Sequence, residues 1–200
     1  MRLSSGDVEK IASLLRRGEV VSLPTDTLFS LTCDATTTLA VRKIARLKGR
    51  DANKPIPVFV RGVADAESFC VFNEEARGLA ERFWPGPLTL VLPIRRGNAI
   101  ISSELLTEGQ AGTIAVRAPG HALIQEILSR LQRPITGTSA NLSGQPNLLT
   151  AAEIEAVFGK EIIVVDAPLP AYHSPTPSTI VECTGPELKI LRQGTLLLSI

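Results

Sequence analysis

Hydroxyls and cations, rather than histidines or thiols, are the side chains of this sequence that could do chemistry. Pro134 to Gly144 reads PITGTSANLSG, and its centre, Thr138-Ser139-Ala140-Asn141, leaves an apolar, strand-like run. Loops leaving strands in α/β domains carry ligand contacts. Ser139 and Asn141 offer a hydroxyl and an amide, and Gly137 and Gly144 let the backbone approach a ligand closely. The same residue types also make ordinary polar turns. Pro24-Thr25-Asp26-Thr27 is a second hydroxyl-rich turn after a strand, and Ser178-Thr179 opens another strand behind a proline-rich loop. Turn capping is the alternative role for both.

The cations fall in matching places. Lys48, Arg50 and Lys54 lie close together, interrupted in charge only by Asp51, before the extended Pro55-Ile56-Pro57. Charge-assisted hydrogen bonds contribute roughly 1.5–3 kcal/mol each, so several converging donors can hold a polyphosphate. A solvated helix end complementing the helix dipole would look the same. Arg117 ends the run TIAV and Arg192 ends the run KIL. A cation at a strand end must reach solvent, meet an Asp or Glu, or face an anion in a cleft, because burial unpaired costs several kcal/mol. Together these residues describe a cleft for a small polar anion and a nucleotide.

Other chemistries are poorly supported. There is no GxxxxGK[ST] phosphate loop and no GxGxxG fingerprint. His121 and His173 are the only histidines, and no His, Cys or carboxylate group has metal-ligand spacing. Gly137-Thr138-Ser139-Ala140-Asn141 comes within one residue of a GxSxG nucleophile elbow, with Asp166 and His173 downstream. Asn replaces the second glycine and no HGGG-type segment is visible, which disfavours serine hydrolysis.

The elements that must position these groups alternate. Val8, Ile11, Ala12, Leu14 and Leu15 recur at helical spacing, and Glu19 to Leu23 reads as a strand. Leu39, Ala40, Ile44, Ala45 and Leu47 make a helical face after a run of threonines able to cap it, ending near Lys48-Gly49. Ile56 to Val60, Leu88 to Ile94, Thr113 to Arg117, Ile162 to Val165, Ser178 to Glu182 and Leu188 to Leu191 are strand-like. Pro134 to Thr138 is extended. Helices are expected around Ala76 to Phe83 and over Ala122 to Leu131, with His121 starting the latter, and from the Thr150/Glu153 capping box to Phe158. This interleaving predicts an α/β fold: a twisted mixed β-sheet with flanking helices around a concave ligand cleft, some C-terminal strands pairing antiparallel. Pro168 to Pro177 is expected to be the most mobile segment.

Composition sets outer limits. A chain of 200 residues with 44% hydrophobic content fits a single domain over 1–200. Lys plus Arg total 21 against 20 for Asp plus Glu, so any anion site is local rather than a basic coat. Cys33, Cys70 and Cys183 are odd in number and lack CxxC spacing, as expected for reduced core thiols in a cytoplasmic protein. No apolar stretch is long enough for a signal or a membrane span.

PTDTLFSL, KGR with Lys54, FWPGPLTLVL, TIAVRAP, PITGTSANLSG, PSTIV and ILRQG occur in the order and approximate spacing of the YrdC-like threonylcarbamoyl-AMP synthase family, which the chain resembles over nearly its whole length. The resemblance implies a YrdC-like catalytic domain without the additional C-terminal domain of longer relatives. It implies a nucleotidyltransferase that makes threonylcarbamoyl-AMP and pyrophosphate from L-threonine, bicarbonate and ATP, with Mg2+ arriving on the ATP. The product would pass to a tRNA-modifying threonylcarbamoyl transferase complex for modification of the adenosine next to the anticodon. Contact with tRNA itself stays open. Carried over by motif, Thr27, Arg117, Gly137 and Ser178 would bind threonine. Arg50, Lys54, Thr113, Ser139, Asn147 and Arg192 would bind ATP, and Lys48, Arg50, Ser139 and Asn141 form the catalytic set. No resident metal site is implied. Ser30 and Thr32 stand where many relatives have glycine, Phe59 where some carry a histidine, and Asp166-Ala167-Pro168 replaces Asp-Gly-Gly.

Two other functions fit parts of the sequence. A non-catalytic RNA-binding module would suit a concave basic face, against which weigh the near-zero net charge and an aromatic content of 4%. A carbamoyl-adenylate transferase acting on another acceptor is the second.

Overall fold

The computed structural model describes residues 1–49, 56–106, 112–167 and 176–199. Its strands are β1 (Arg2–Ser4), β2 (Val21–Leu23), β3 (Ser30–Thr32), β4 (Val58–Phe59), β5 (Leu88–Pro93), β6 (Thr113–Arg117), β7 (Ile135–Thr136), β8 (Thr138–Ser139), β9 (Ile163–Asp166), β10 (Thr179–Glu182) and β11 (Lys189–Arg192). Its α-helices are α1 (Val8–Arg16), α2 (Thr38–Lys48), α3 (Val63–Glu67), α4 (Glu74–Phe83), α5 (Ala122–Leu131) and α6 (Ala151–Phe158). The expected mixed α/β architecture is present, but the described strands divide between two mixed sheets, ordered β1-β9-β2-β3-β8 and β11-β10-β5-β6-β4-β7.

The division turns on Gly137. The extended run expected from Pro134 to Thr138 is interrupted there: β7 pairs with β4 in the six-stranded sheet, whereas β8 pairs with β3 in the five-stranded one. A Cβ on Gly137 would drive into the ring of Phe59, so the crossing requires a residue without a side chain. Both sheets are therefore joined along one short segment, and the cleft forms beside it.

Most helices follow the sequence pattern. On α1 the buried positions are Ile11, Ala12, Leu14 and Leu15, and on α5 they are Leu123, Ile124, Ile127, Leu128 and Leu131. These two helices share one apolar cluster with Leu3, Val21, Leu23 and Val165. A larger cluster takes the inner sides of β5, β6, α2, α4 and α6, with Leu90, Leu92, Ile44, Ala80 and Ile154 among its members. His121 stands at the N-cap of α5, and α6 opens with the Thr150/Glu153 capping box. On α2 the helical face is rotated: Leu39 is 76% exposed, and Ala40, Val41, Ile44, Leu47 and Lys48 are buried instead. Thr37 occupies the N-cap without making a side-chain cap bond.

β1, β3 and α3 were not legible. β1 and β3 have three residues each, too few to establish alternation, and all three residues of β3 are buried. Ser30 and Thr32 fit there because Thr32 Oγ1 donates to Val21 O at 2.8 Å and Ser30 faces the cleft. All three cysteines are free and buried. No described helix is long and apolar enough to cross a membrane. Residues 168–175, most of the segment expected to be mobile, lie outside the described residues, as do Arg50 and Lys54.

Candidate active site

A row of side chains across the six-stranded sheet floors a cavity of about 420 Å³. Arg192 on β11 pairs in register with Ile180 on β10, which pairs with Thr89 on β5. Leu90 pairs with Val116, so one step along Thr89 meets the level of Arg117 on β6, and Arg117 pairs with Phe59 on β4. Period-two alternation puts all five on the same face. The opposite wall comes from the five-stranded sheet and its loops: Thr27, Leu28, Ser30, Thr138 and Ser139.

A bulge decides which residue of β11 faces the cavity. Val181 pairs with Ile190 but Ile180 pairs with Arg192, so Leu191 is the extra residue. A regular ladder would have set Leu191 opposite Ile180; the bulge re-aims the strand and delivers the guanidinium instead.

Arg117 is held on three sides. Its Nη2 lies 2.5 Å from Asp26 Oδ1, its Nη1 donates to Thr27 Oγ1 at 3.1 Å and its Nε donates to Gly86 O at 2.9 Å. Burial lowers its pKa from the ordinary value, opposed by the attraction of Asp26. Five N–H bonds serve three such partners, leaving two for a ligand. Thr27 is fixed by its own turn. Thr25 Oγ1 accepts from the backbone N–H of Thr27 and of Leu28 and donates to Leu28 O at 2.6 Å, with Thr27 Oγ1 3.1 Å away. Because Thr25 has already committed its proton and lone pairs, the Thr27 hydroxyl proton is left for the cavity.

Arg192 has a different environment. Its Nε and Nη2 fork onto Ser178 O at 3.0 and 2.8 Å, and among the described residues it forms no ion pair with a carboxylate. Partial burial lowers its pKa, and repulsion from Arg117 adds to the effect. Two cations facing one cavity, only one of them matched by Asp26, create a site that favours an anion. Gly194 supports this corner: a Cβ there would meet Pro177 O and the Ser178 carbonyl.

Across the cavity, buried Lys48 ties the loop after β8. Its Nζ donates to Ser139 O at 2.5 Å, Asn141 O at 2.8 Å and Asn141 Oδ1 at 2.9 Å. Ser139 Oγ donates to the same Asn141 Oδ1 at 2.7 Å, and Asn141 Nδ2 donates to Gln145 O. Of the residues expected from sequence, Thr27, Arg117, Gly137, Ser139, Asn147, Ser178 and Arg192 line the cavity. Lys48 and Asn141 are not among the lining residues and reach the cavity through their bonds to Ser139. Thr113, at the other end of β6 from Arg117, pairs with Pro93 and does not line the cavity. Arg50 and Lys54 lie outside the described residues. Thr89 is a lining residue without a site motif of its own, its one signal being a polar residue within the otherwise apolar LTLVLP, whereas Ser30 and Phe59 are visible in the sequence only as departures from the family pattern and Asp26 only as a turn residue.

Residues 13–194 match the model of a family designated Sua5/YciO/YrdC and described as telomere recombination. The chain belongs to that family. Among its curated relatives, the threonylcarbamoyl-AMP synthase of Pyrococcus abyssi is 33% identical over 98% of this chain and 56% of the relative. That of Bacillus subtilis is 35% identical over 96% of this chain and 55% of the relative. The chain therefore spans a little over half the length of these two proteins. A crystal structure of P. abyssi Sua5 complexed with L-threonine superposes with a TM-score of 0.89 at 30% identity, covering 98% of this chain and 58% of that one. The Sua5/YciO/YrdC fold thus accounts for both sheets.

Proposed function

We propose that this chain is an L-threonylcarbamoyladenylate synthase, converting L-threonine, bicarbonate and ATP into threonylcarbamoyl-AMP and pyrophosphate. The observation that carries the reading is convergence: the amino-acid set Thr27, Arg117, Gly137 and Ser178 and the nucleotide residues Ser139, Asn147 and Arg192 line one cavity. The names of the P. abyssi and B. subtilis relatives support it, as does the threonine complex of P. abyssi Sua5.

The chemistry needs no enzyme nucleophile. The threonine amine adds to carbon dioxide derived from bicarbonate, the proton lost by the amine leaving with the bicarbonate hydroxide as water, and a carbamate oxygen then displaces pyrophosphate from the α-phosphorus of ATP. Such phosphorus chemistry rests on orientation and charge stabilisation. The remaining N–H bonds of Arg117 and the Thr27 hydroxyl receive the threonine carboxylate, and the backbone at Gly137 lies beside the amino acid. Arg192 and Asn147 hold the nucleotide. For Ser139 to donate to a phosphate oxygen, its proton turns away from Asn141 Oδ1, which Lys48 continues to satisfy. Arg50 and Lys54 are assigned to the phosphates by motif. Mg2+ would arrive on the ATP as part of the substrate. Thr113 keeps its assignment to ATP binding only as a motif match. The product would be handed to a threonylcarbamoyl transferase complex acting on tRNA in the cytoplasm.

The test is pyrophosphate release from purified chain supplied with Mg·ATP. Release that requires both threonine and bicarbonate supports the reading, and release indifferent to either contradicts it. Arg50→Ala should cut the rate about 10²- to 10³-fold, by the measure of one preorganised donor; near-normal activity would remove Arg50 from the catalytic set.

A further inference from the structure

Thr89 occupies the middle of the cavity floor, is 1% exposed, and places Oγ1 2.8 Å from Ser178 Oγ. A threonine hydroxyl at an otherwise apolar position of a buried strand requires a partner, since an unsatisfied buried hydroxyl costs roughly 1–3 kcal/mol. Ser178 is that partner, and Ser178 is itself engaged by Arg192, whose Nη2 donates to Ser178 Oγ at 3.3 Å and to Ser178 O at 2.8 Å.

Proton counting gives the consequence. The two hydroxyls carry two protons, and their mutual bond uses one. Arg192 supplies a donor and takes none. Whichever hydroxyl donates in the Thr89–Ser178 bond, one proton is left, and both residues line the cavity. If Thr89 donates, Ser178 Oγ accepts from both Thr89 and Arg192, and its own proton is left to donate into the cavity.

We propose that Thr89 is a positioning residue for the amino-acid end of the cavity, acting through Ser178. On this assignment Thr89 is the donor in the Thr89–Ser178 bond, so that Thr89 and Arg192 both donate to the Ser178 hydroxyl and its own proton is presented to the substrate, favouring an acceptor group such as a carboxylate or carbonyl oxygen. The role of Ser178 toward threonine rests on the function proposed above. Because Arg192 also grips the Ser178 carbonyl, the same arrangement ties the amino-acid end of the site to the nucleotide end.

The experiment compares wild type with Thr89→Val, which keeps the shape and removes the hydroxyl, and with Thr89→Ser, which restores it. The readout is KM for threonine and kcat for threonylcarbamoyl-AMP formation at saturating ATP and bicarbonate. Loss of one neutral hydrogen bond predicts a rise of about 3- to 10-fold in KM for threonine in Thr89→Val, with kcat within about twofold of wild type and recovery in Thr89→Ser. Thr89→Val added to Ser178→Ala should then have no further effect on KM. If Thr89→Val does not fold, Thr89→Ala serves in its place, with Thr89→Ser again expected to match wild type. An unchanged KM, or a Thr89→Ser variant as impaired as the hydroxyl-free one, overturns the inference while leaving the proposed function standing. A wild type that forms no threonine-dependent adenylate overturns both.

Discussion

Asp26 Oδ1 lies 2.5 Å from Arg117 Nη2, with the two side chains only 4% and 5% exposed. The turn after β2 and the end of β6 are thereby locked together, and Thr27 and Arg117 are brought to the same point of the cavity. Removing one partner of a buried pair leaves the other charged in a poorly solvated place, at a cost of about 3–5 kcal/mol. Asp26→Asn should lower stability by about that amount in urea unfolding and raise KM for threonine. A loss below about 1 kcal/mol would show that the pair is not buried in solution.

The crossing at Gly137 has no room for a side chain, because a Cβ would enter the ring of Phe59. Overpacking of this kind costs about 1–3 kcal/mol. Gly137→Ala should therefore destabilise the chain and displace Thr138 and Ser139, and Phe59→Leu in the same chain should recover part of the melting temperature. Failure of that second change to restore anything would locate the strain elsewhere.

The fork of Arg192 onto Ser178 O depends on guanidinium geometry, which a lysine ammonium cannot reproduce. Arg192→Lys retains the charge and loses the fork. KM for ATP should rise about tenfold or more, corresponding to one charge-assisted bond, with little change in thermal stability. Equal KM values would mean that charge alone suffices at this corner.

Burial pushes the Cys33 and Cys70 thiols up to about 12 from an ordinary value of 9.0. The folded state then holds protons that the unfolded state releases, so their contribution to stability is complete below pH 9 and declines as pH rises from there toward 12. At pH 8.5 neither thiol should react with an alkylating reagent until the chain is unfolded, as mass spectrometry of labelled peptides would read. Rapid labelling of native protein would contradict the described burial.

How much of this was visible in the sequence follows from what each signal can carry. Helices α1 and α5 announced themselves by apolar spacing, and α6 by its capping box, because those patterns are local. Arg117 and Arg192 stand out in the sequence as cations closing apolar runs, and the structure brings both to one cavity. The division into two sheets was hidden, since pairing partners are set by tertiary contacts and β7 and β8 read as one extended run. The bulge that turns Arg192 inward was hidden for the same reason. Asp26 was visible as a turn residue, but nothing in the sequence said that it would meet a strand end 91 residues away. Thr89 carries no distinctive signal, because a single threonine within LTLVLP is ordinary in a strand.

The central claim is that one cavity joins an amino acid, bicarbonate and the adenylyl part of ATP. The most direct measurement is mass spectrometry of the products after incubating the chain with Mg·ATP, L-threonine and carbon-13 bicarbonate. The account predicts a threonine-dependent adenylate, heavier by one mass unit than the product made from unlabelled bicarbonate, in stoichiometric balance with pyrophosphate. An adenylate without the label, or none that depends on threonine, would contradict it.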